Sequence, residues 1–175
     1  MNNSRRLYGD AKLIEEQLSQ MQLMEEAAGG WAAVYKHKDT GGFWMKCYST
    51  AAAQGGGYLI LIKLHLPTTA ELIKSAVHSP YQDEAVAAVF RLLDEEKVEK
   101  KDFRLQLVEA LEKLPLAELN LEQQKRIERV ITLSGLNEPD NKREVLHKSA
   151  AEVQQDADYF KEISDRAKGL LKQLQ

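Results

Sequence analysis

The side chains best suited to hold a metal or move a proton are four histidines, His37, His65, His78 and His147, and one cysteine, Cys47. No histidine stands three or four residues from a second ligand in a recognisable motif: there is no His-Glu-x-x-His and no Cys/His cluster. His65 and His78 flank one predicted helix and could approach each other, but a satisfied or solvent-facing histidine is the ordinary state. Cys47 sits inside a predicted strand between Lys46 and Tyr48. Pointing inward it is a small hydrophobe; pointing outward it cannot share its face with Lys46, because strand neighbours alternate. A nucleophilic cysteine needs a thiolate-stabilising setting and a base, and neither is evident. No Gly-x-Ser-x-Gly elbow occurs. The sequence therefore predicts no catalytic residue, no metal site and no cofactor.

Two further features invite a chemical reading. Gly55-Gly56-Gly57 could cradle a phosphate, but phosphate loops lead from a strand into a helix N-terminus, whereas these glycines lead into an apolar strand. A conformational need for glycine explains them better. The acidic run Asp94-Glu95-Glu96 and the pair Asp83-Glu84 alternate with lysines further on and read as a solvated helix surface, or as a surface that meets a basic partner.

The elements that would position these residues follow from periodicity and capping signals. Asp10 can cap a helix over 11–28, with Ile14, Leu18, Met21, Met24 and Ala28 on one face and Gly29 as its stop. Residues 31–37 and 43–48, separated by Asp39-Thr40-Gly41-Gly42, read as a β-hairpin. The run 58–64 reads as a strand covered on both faces. These make a small three-stranded antiparallel sheet.

From Thr68 the sequence is almost pure helix. Capping boxes at Thr68-x-x-Glu71 and Ser79-Pro80-Tyr81-Gln82 open helices over 69–78 and 80–98. Asp102 can cap a third that Pro115 ends, and Asn120 a fourth that stops near Gly135. A last helix over 139–174 carries Leu146, Ala150, Val153, Ala157, Phe160, Ala167, Leu171 and Leu174 at heptad-like steps, with Ser164 in the polar slot. That seam fits packing on the molecule's own helices, or pairing with a second copy as a homodimer.

The predicted fold class is therefore α+β and mainly helical: a three-stranded sheet packed with an N-terminal helix, then a multi-helix array. Residues 1–66 hold the first part and 67–175 the array, with one continuous domain as the other option. The 175 residues, 43% hydrophobic and 29% charged, suit a globular chain that needs no disulfide. A net charge of −3 lacks the basic excess of a nucleic-acid binder. The first ten residues do not read as a signal peptide, and the longest apolar run is too short to cross a bilayer. With one cysteine, a reducing compartment fits, so the expected address is the cytoplasm.

Read together, Trp31, Tyr35, Asp39-Thr40-Gly41-Gly42-Phe43-Trp44, Tyr48 and Gln54-Gly55-Gly56-Gly57 resemble a family of bacterial polymorphic-toxin immunity proteins, immunity protein twenty-seven. The resemblance covers residues 30–62. Ser49 and Tyr58 stand where that family usually has prolines, and Gln54 where it often has histidine. The resemblance implies stoichiometric neutralisation of a cognate toxin protein, with no enzymatic activity. Five of the chain's 12 aromatic residues fall within 18 positions here, Trp31, Tyr35, Phe43, Trp44 and Tyr48. Such residues serve as interface anchors or as core, and alternate positions allow both. The expected partner-binding residues are Trp31, Tyr35, Trp44, Tyr48, Gln54, Asp94 and Glu95. The alternative reading is a helical adaptor acting through the last helix.

Overall fold

A computed structural model describes residues 5–49 and 57–174. The chain divides into two compact units, Met1–Lys101 and Asp102–Gln175. It is α+β with 53% helix. The sheet has five strands, not three.

In the first unit, β1 (Leu7–Tyr8), β2 (Met21–Glu26), β3 (Ala32–His37), β4 (Phe43–Ser49) and β5 (Tyr58–Lys63) lie in the order β1-β5-β4-β3-β2, every neighbouring pair antiparallel. Two strands escape the sequence pattern. β2 lies inside the predicted helix 11–28: α1 covers only Ala11–Ser19, capped at Asp10 by a hydrogen bond from the Leu13 amide, and the chain then turns into the strand. Met21 belongs to the apolar face of the helical pattern, yet it pairs with His37 of β3, and Leu23 pairs with Tyr35. β1 is only two residues long, too short for any periodicity to reveal.

Three carboxylates and a hydroxyl hold the segment around β1. Glu84, buried at 5% exposure, accepts from the Arg6 amide at 2.8 Å, the Leu7 amide at 3.2 Å and the Ser79 hydroxyl at 2.7 Å. Asp83 accepts from the amides of Gly9 and Asp10 and pairs with Arg5, while Glu71 pairs with Arg6. Ser79 therefore does not open a helix as its sequence box suggests. It terminates α2 (Thr69–His78), and α3 begins later, at Gln82–Glu99, behind Tyr81. Thr68 does form its capping box with Glu71.

The two sheet faces are covered differently. On one, Ile14 of α1 forms a core with Met21, Trp44 and Leu61. On the other, Leu7, Ile60 and Ile62 are buried, Tyr58 stacks on Phe90 of α3 with ring centroids 4.5 Å apart, and the Ser49 hydroxyl donates to the Phe90 carbonyl. Ile60, Leu61 and Ile62 are thus all buried, so β5 is enclosed on both faces.

The second unit consists of α4 (Arg104–Glu112), a 3-10 turn (Leu116–Glu118), α5 (Leu121–Leu133) and α6 (Ala150–Gln173). The Asn120 capping box with Gln123 forms, and Ile127, Val130 and Ile131 are buried. Arg104 is buried, its Nη1 donating to the Ser134 and Gly135 carbonyls at the end of α5 while its guanidinium lies 5.3 Å from the Phe160 ring. The last helix is shorter than the predicted 139–174. It starts behind Ser149, which forms a capping box with Glu152, and residues 139–149 are irregular. Its buried residues are Asp156, Phe160, Ile163, Ser164, Ala167 and Leu170, facing α4 and α5. Leu146 is outside the helix and 69% exposed.

Two substitutions test this construction. Glu84→Ala strands buried donors and should cost about 2–4 kcal/mol in urea denaturation, with Glu84→Gln costing less because one acceptor oxygen remains. Gly169, inside α6, has open space where a Cβ would stand. Gly169→Ala should therefore raise stability by about 0.5–1 kcal/mol.

Candidate protein-binding face

The five clustered aromatic residues divide according to strand alternation. Along β4, Trp44, Lys46 and Tyr48 face the α1 side, while Phe43, Met45, Cys47 and Ser49 face the opposite side; the Trp44–Ile14 core and the Ser49–Phe90 hydrogen bond fix the two faces. Trp44 is 7% exposed and belongs to the core. Tyr8 supports it with ring centroids 5.7 Å apart.

α1 is too short to cover its whole face. Beyond the Ile14 contact, the register places Leu23 opposite Tyr35, and Tyr48 opposite Leu59. Leu23 is 49% and Tyr48 45% exposed, with Tyr35 and Leu59 half-buried. Lys46 sits within this apolar ledge, its Nζ 5.9 Å from the Tyr35 ring centre, a cation over the negative face of an aromatic ring. Trp31 precedes β3 and is 63% exposed. Phe43 is exposed as well, but on the other face of β4. Sequence reasoning missed Leu23 and Leu59: the first lay in the helical reading, and the second in a strand taken as wholly enclosed.

The remaining expected site residues are placed otherwise. Glu95 is buried, accepting from the Thr69 hydroxyl at 2.8 Å with the Arg91 guanidinium 3.6 Å away, so it presents no charge to a partner. Asp94 is half-buried on α3. Gln54, with Gly55 and Gly56, lies outside the described residues. Gly57 has a φ of +67°, and a Cβ there would stand 3.0 Å from the Tyr48 Cβ and 3.1 Å from the Ser49 carbonyl. This last glycine is required by backbone conformation and by a close approach to β4.

The histidines do not converge. His37 Nδ1 accepts from the amides of Asp39 and Thr40 and holds the β3–β4 turn, and His65, His78 and His147 are exposed. Among the described residues no group of three or more His, Cys, Asp or Glu could hold a metal ion. Nor is any helix among them long and apolar enough to cross a membrane.

Cys47 faces the α3 side. Burial pushes its thiol up to about 11, with Asp94 adding to the rise and Arg91 opposing it. The thiol is therefore protonated at neutral pH and a poor nucleophile.

No family model, no curated protein and no solved structure matches this chain.

A thiol-exchange assay checks the state of Cys47. At pH 8 the native protein should react with a chromogenic disulfide at least about tenfold more slowly than the urea-unfolded chain, because burial both raises the pKa and blocks access. Equal rates would contradict the burial.

Proposed function

We propose that this protein acts by stoichiometric contact with another protein and neutralises a cognate toxin in the cytoplasm, without catalysing a reaction. The observation that carries the reading is the ledge left open beside α1. Leu23 and Tyr48 are half-exposed side chains on the α1 face of the sheet, their cross-strand neighbours Tyr35 and Leu59 pack on the margin of the Ile14–Trp44 core, and the Lys46 ammonium lies near the Tyr35 ring. Tyrosines on a fixed backbone bring large contact area with little side-chain entropy to lose, which is the usual composition of an interface anchor.

The resemblance of residues 30–62 to immunity proteins supports the specific role. On this reading the toxin contact centres on the hairpin of β3 and β4, to which Tyr35 and Tyr48 belong. Exposed Trp31 lies at its entry. Trp44 contributes by fixing α1 over the same face, and so by setting where the open ledge begins.

Co-expression with a toxin domain encoded by the neighbouring reading frame tests this directly. Growth should be rescued, and a one-to-one complex should elute on gel filtration with light scattering. Leu23→Ser combined with Tyr48→Ser should weaken that complex by about tenfold or more while leaving the fold intact, since both side chains are half exposed. Absence of both rescue and complex would overturn the reading.

A further inference from the structure

Residues 5–8 lie along the outer edge of β5 in the manner of a bound peptide, each one met by a group that the rest of the first unit supplies. Leu7 and Tyr8 pair with Ile62 and Leu61, and the Lys63 amide donates to the Arg6 carbonyl at 2.9 Å. Leu7 is fully buried between β5 and α3. Arg5 pairs with Asp83, and its guanidinium lies 4.0 Å from the Tyr8 ring centre and 4.5 Å from that of Tyr81. Arg6 pairs with Glu71 and donates to the His65 carbonyl at 3.0 Å. The Arg6 and Leu7 amides both donate to Glu84.

These are the parts of a strand-addition site: a ladder edge and a carboxylate for the main chain, one apolar pocket, and charges for the flanking side chains. The present occupant is lightly held. Its ladder has two residue pairs, and Leu7 is its one fully buried side chain. The Arg6–Glu71 pair is open to water, where an ion pair contributes little. The bonds to Glu84 go to amides, which any extended main chain provides. The groove is also more acidic than its occupant is basic. Glu71, Asp83 and Glu84 face two guanidiniums, and among the described residues Glu84 is met by N–H and O–H donors and by no ion pair.

We propose that the β5 edge, together with the starts of α2 and α3, is a peptide-binding site closed by the chain's own residues 5–8, and that a basic extended segment of a partner protein takes their place as an added antiparallel strand. The segment carries two successive cations, then an aliphatic residue for the Leu7 pocket and an aromatic one. Such an exchange strands no buried acceptor, because the incoming main chain restores the bonds to Glu84 that the departing one breaks. The Gly9 and Asp10 amides stay on Asp83 throughout, so α1 keeps its starting point. The surplus carboxylate favours an occupant with a further cation. The site is separate from the ledge beside α1 and does not depend on the toxin-neutralising reading.

The test uses the full chain carrying Arg5→Ala and Leu7→Ser, which loosens the resident strand, and capped synthetic peptides as probes. Circular dichroism verifies the fold, and the Lys63 amide is followed by NMR. The peptide Ser-Arg-Arg-Leu-Tyr-Gly should bind saturably and restore the protection of that amide. Replacing both of its arginines by glutamine should raise Kd by about tenfold or more, and replacing its serine by arginine should lower Kd. In the wild type, the Lys63 amide should exchange with solvent at least about tenfold faster than the amides of the β4 ladder, through local release of residues 5–8. A folded variant that binds no peptide overturns the proposal, and so does equal affinity for the glutamine peptide. Exchange of Lys63 in the wild type only through global unfolding overturns it as well, and decides the matter if the variant does not fold. A concentration-dependent dimer that the peptide dissociates would assign the groove to a second copy of the chain and overturn the heterologous partner.

Discussion

A strand of two residues has almost no pairing energy of its own, yet the sheet of the first unit ends on one. What keeps β1 in place is the pair of carboxylates at the start of α3. Glu84 gathers two backbone amides and the Ser79 hydroxyl into a buried site, and Asp83 collects two more amides together with Arg5. These bonds set where Asp10 stands, Asp10 caps α1, and α1 lays Ile14 on Trp44. Coverage of one face of the sheet thus depends on polar groups at the N-terminus of a helix on the other. A carboxylate in that position also has the favourable field of the helix end.

The same dependence explains why an open ledge exists. α1 spans nine residues and ends at Ser19, because β2 must begin at Met21 to pair with β3. A helix that continued to residue 28 would have laid Met24 and Ala28 over the same face and removed β2 from its edge. The structure instead gives up coverage for an extra strand. Leu23, Tyr35, Tyr48 and Leu59 are left half exposed as a consequence of topology, and their shared face is what the proposed contact uses.

Legibility followed the range of each interaction. The boxes at Thr68 and Asn120 are local, complete within four residues, and they form as read. The Ser79 box has the same letters but its hydroxyl is taken by Glu84, five residues on and itself fixed by the distant amides of Arg6 and Leu7, and so Pro80 precedes the helix instead of opening it. Met21-Gln22-Leu23-Met24-Glu25-Glu26 has the propensity of a helix and adopts a strand because β3 supplies the hydrogen bonds, a case of tertiary pairing overriding local preference. Of the expected site, the hairpin aromatics were legible as a group. Alternation alone separates Phe43 from Trp44 and Tyr48, but that Trp44 is core while Tyr48 on the same face is half exposed depends on where α1 ends. Glu95 was read as solvated charge because nothing local shows that Thr69 and Arg91 meet it.

The last helix shows how one residue type can hide an entire element. The heptad-like reading through Ala150, Val153 and Ala157 shares Phe160, Ser164 and Ala167 with the buried face, but the buried stripe runs Asp156, Phe160, Ile163, Ala167 and Leu170, with Ser164 beside it. Both sets step by four and three residues, and the true one was passed over because it begins on a charge. Asp156 can occupy a buried slot only because two cations meet it, and pairing with Lys148 and then Arg143 holds its carboxyl below the usual range. Those cations come from the segment before the helix. The carboxylate that disguises the packing stripe is therefore also the reason residues 143–148 close into an arc and do not continue α6 backward. Extending the helix over Leu146, as the seam suggested, would pull Arg143 and Lys148 away from a buried negative charge, and no apolar contact on one exposed leucine offsets that loss.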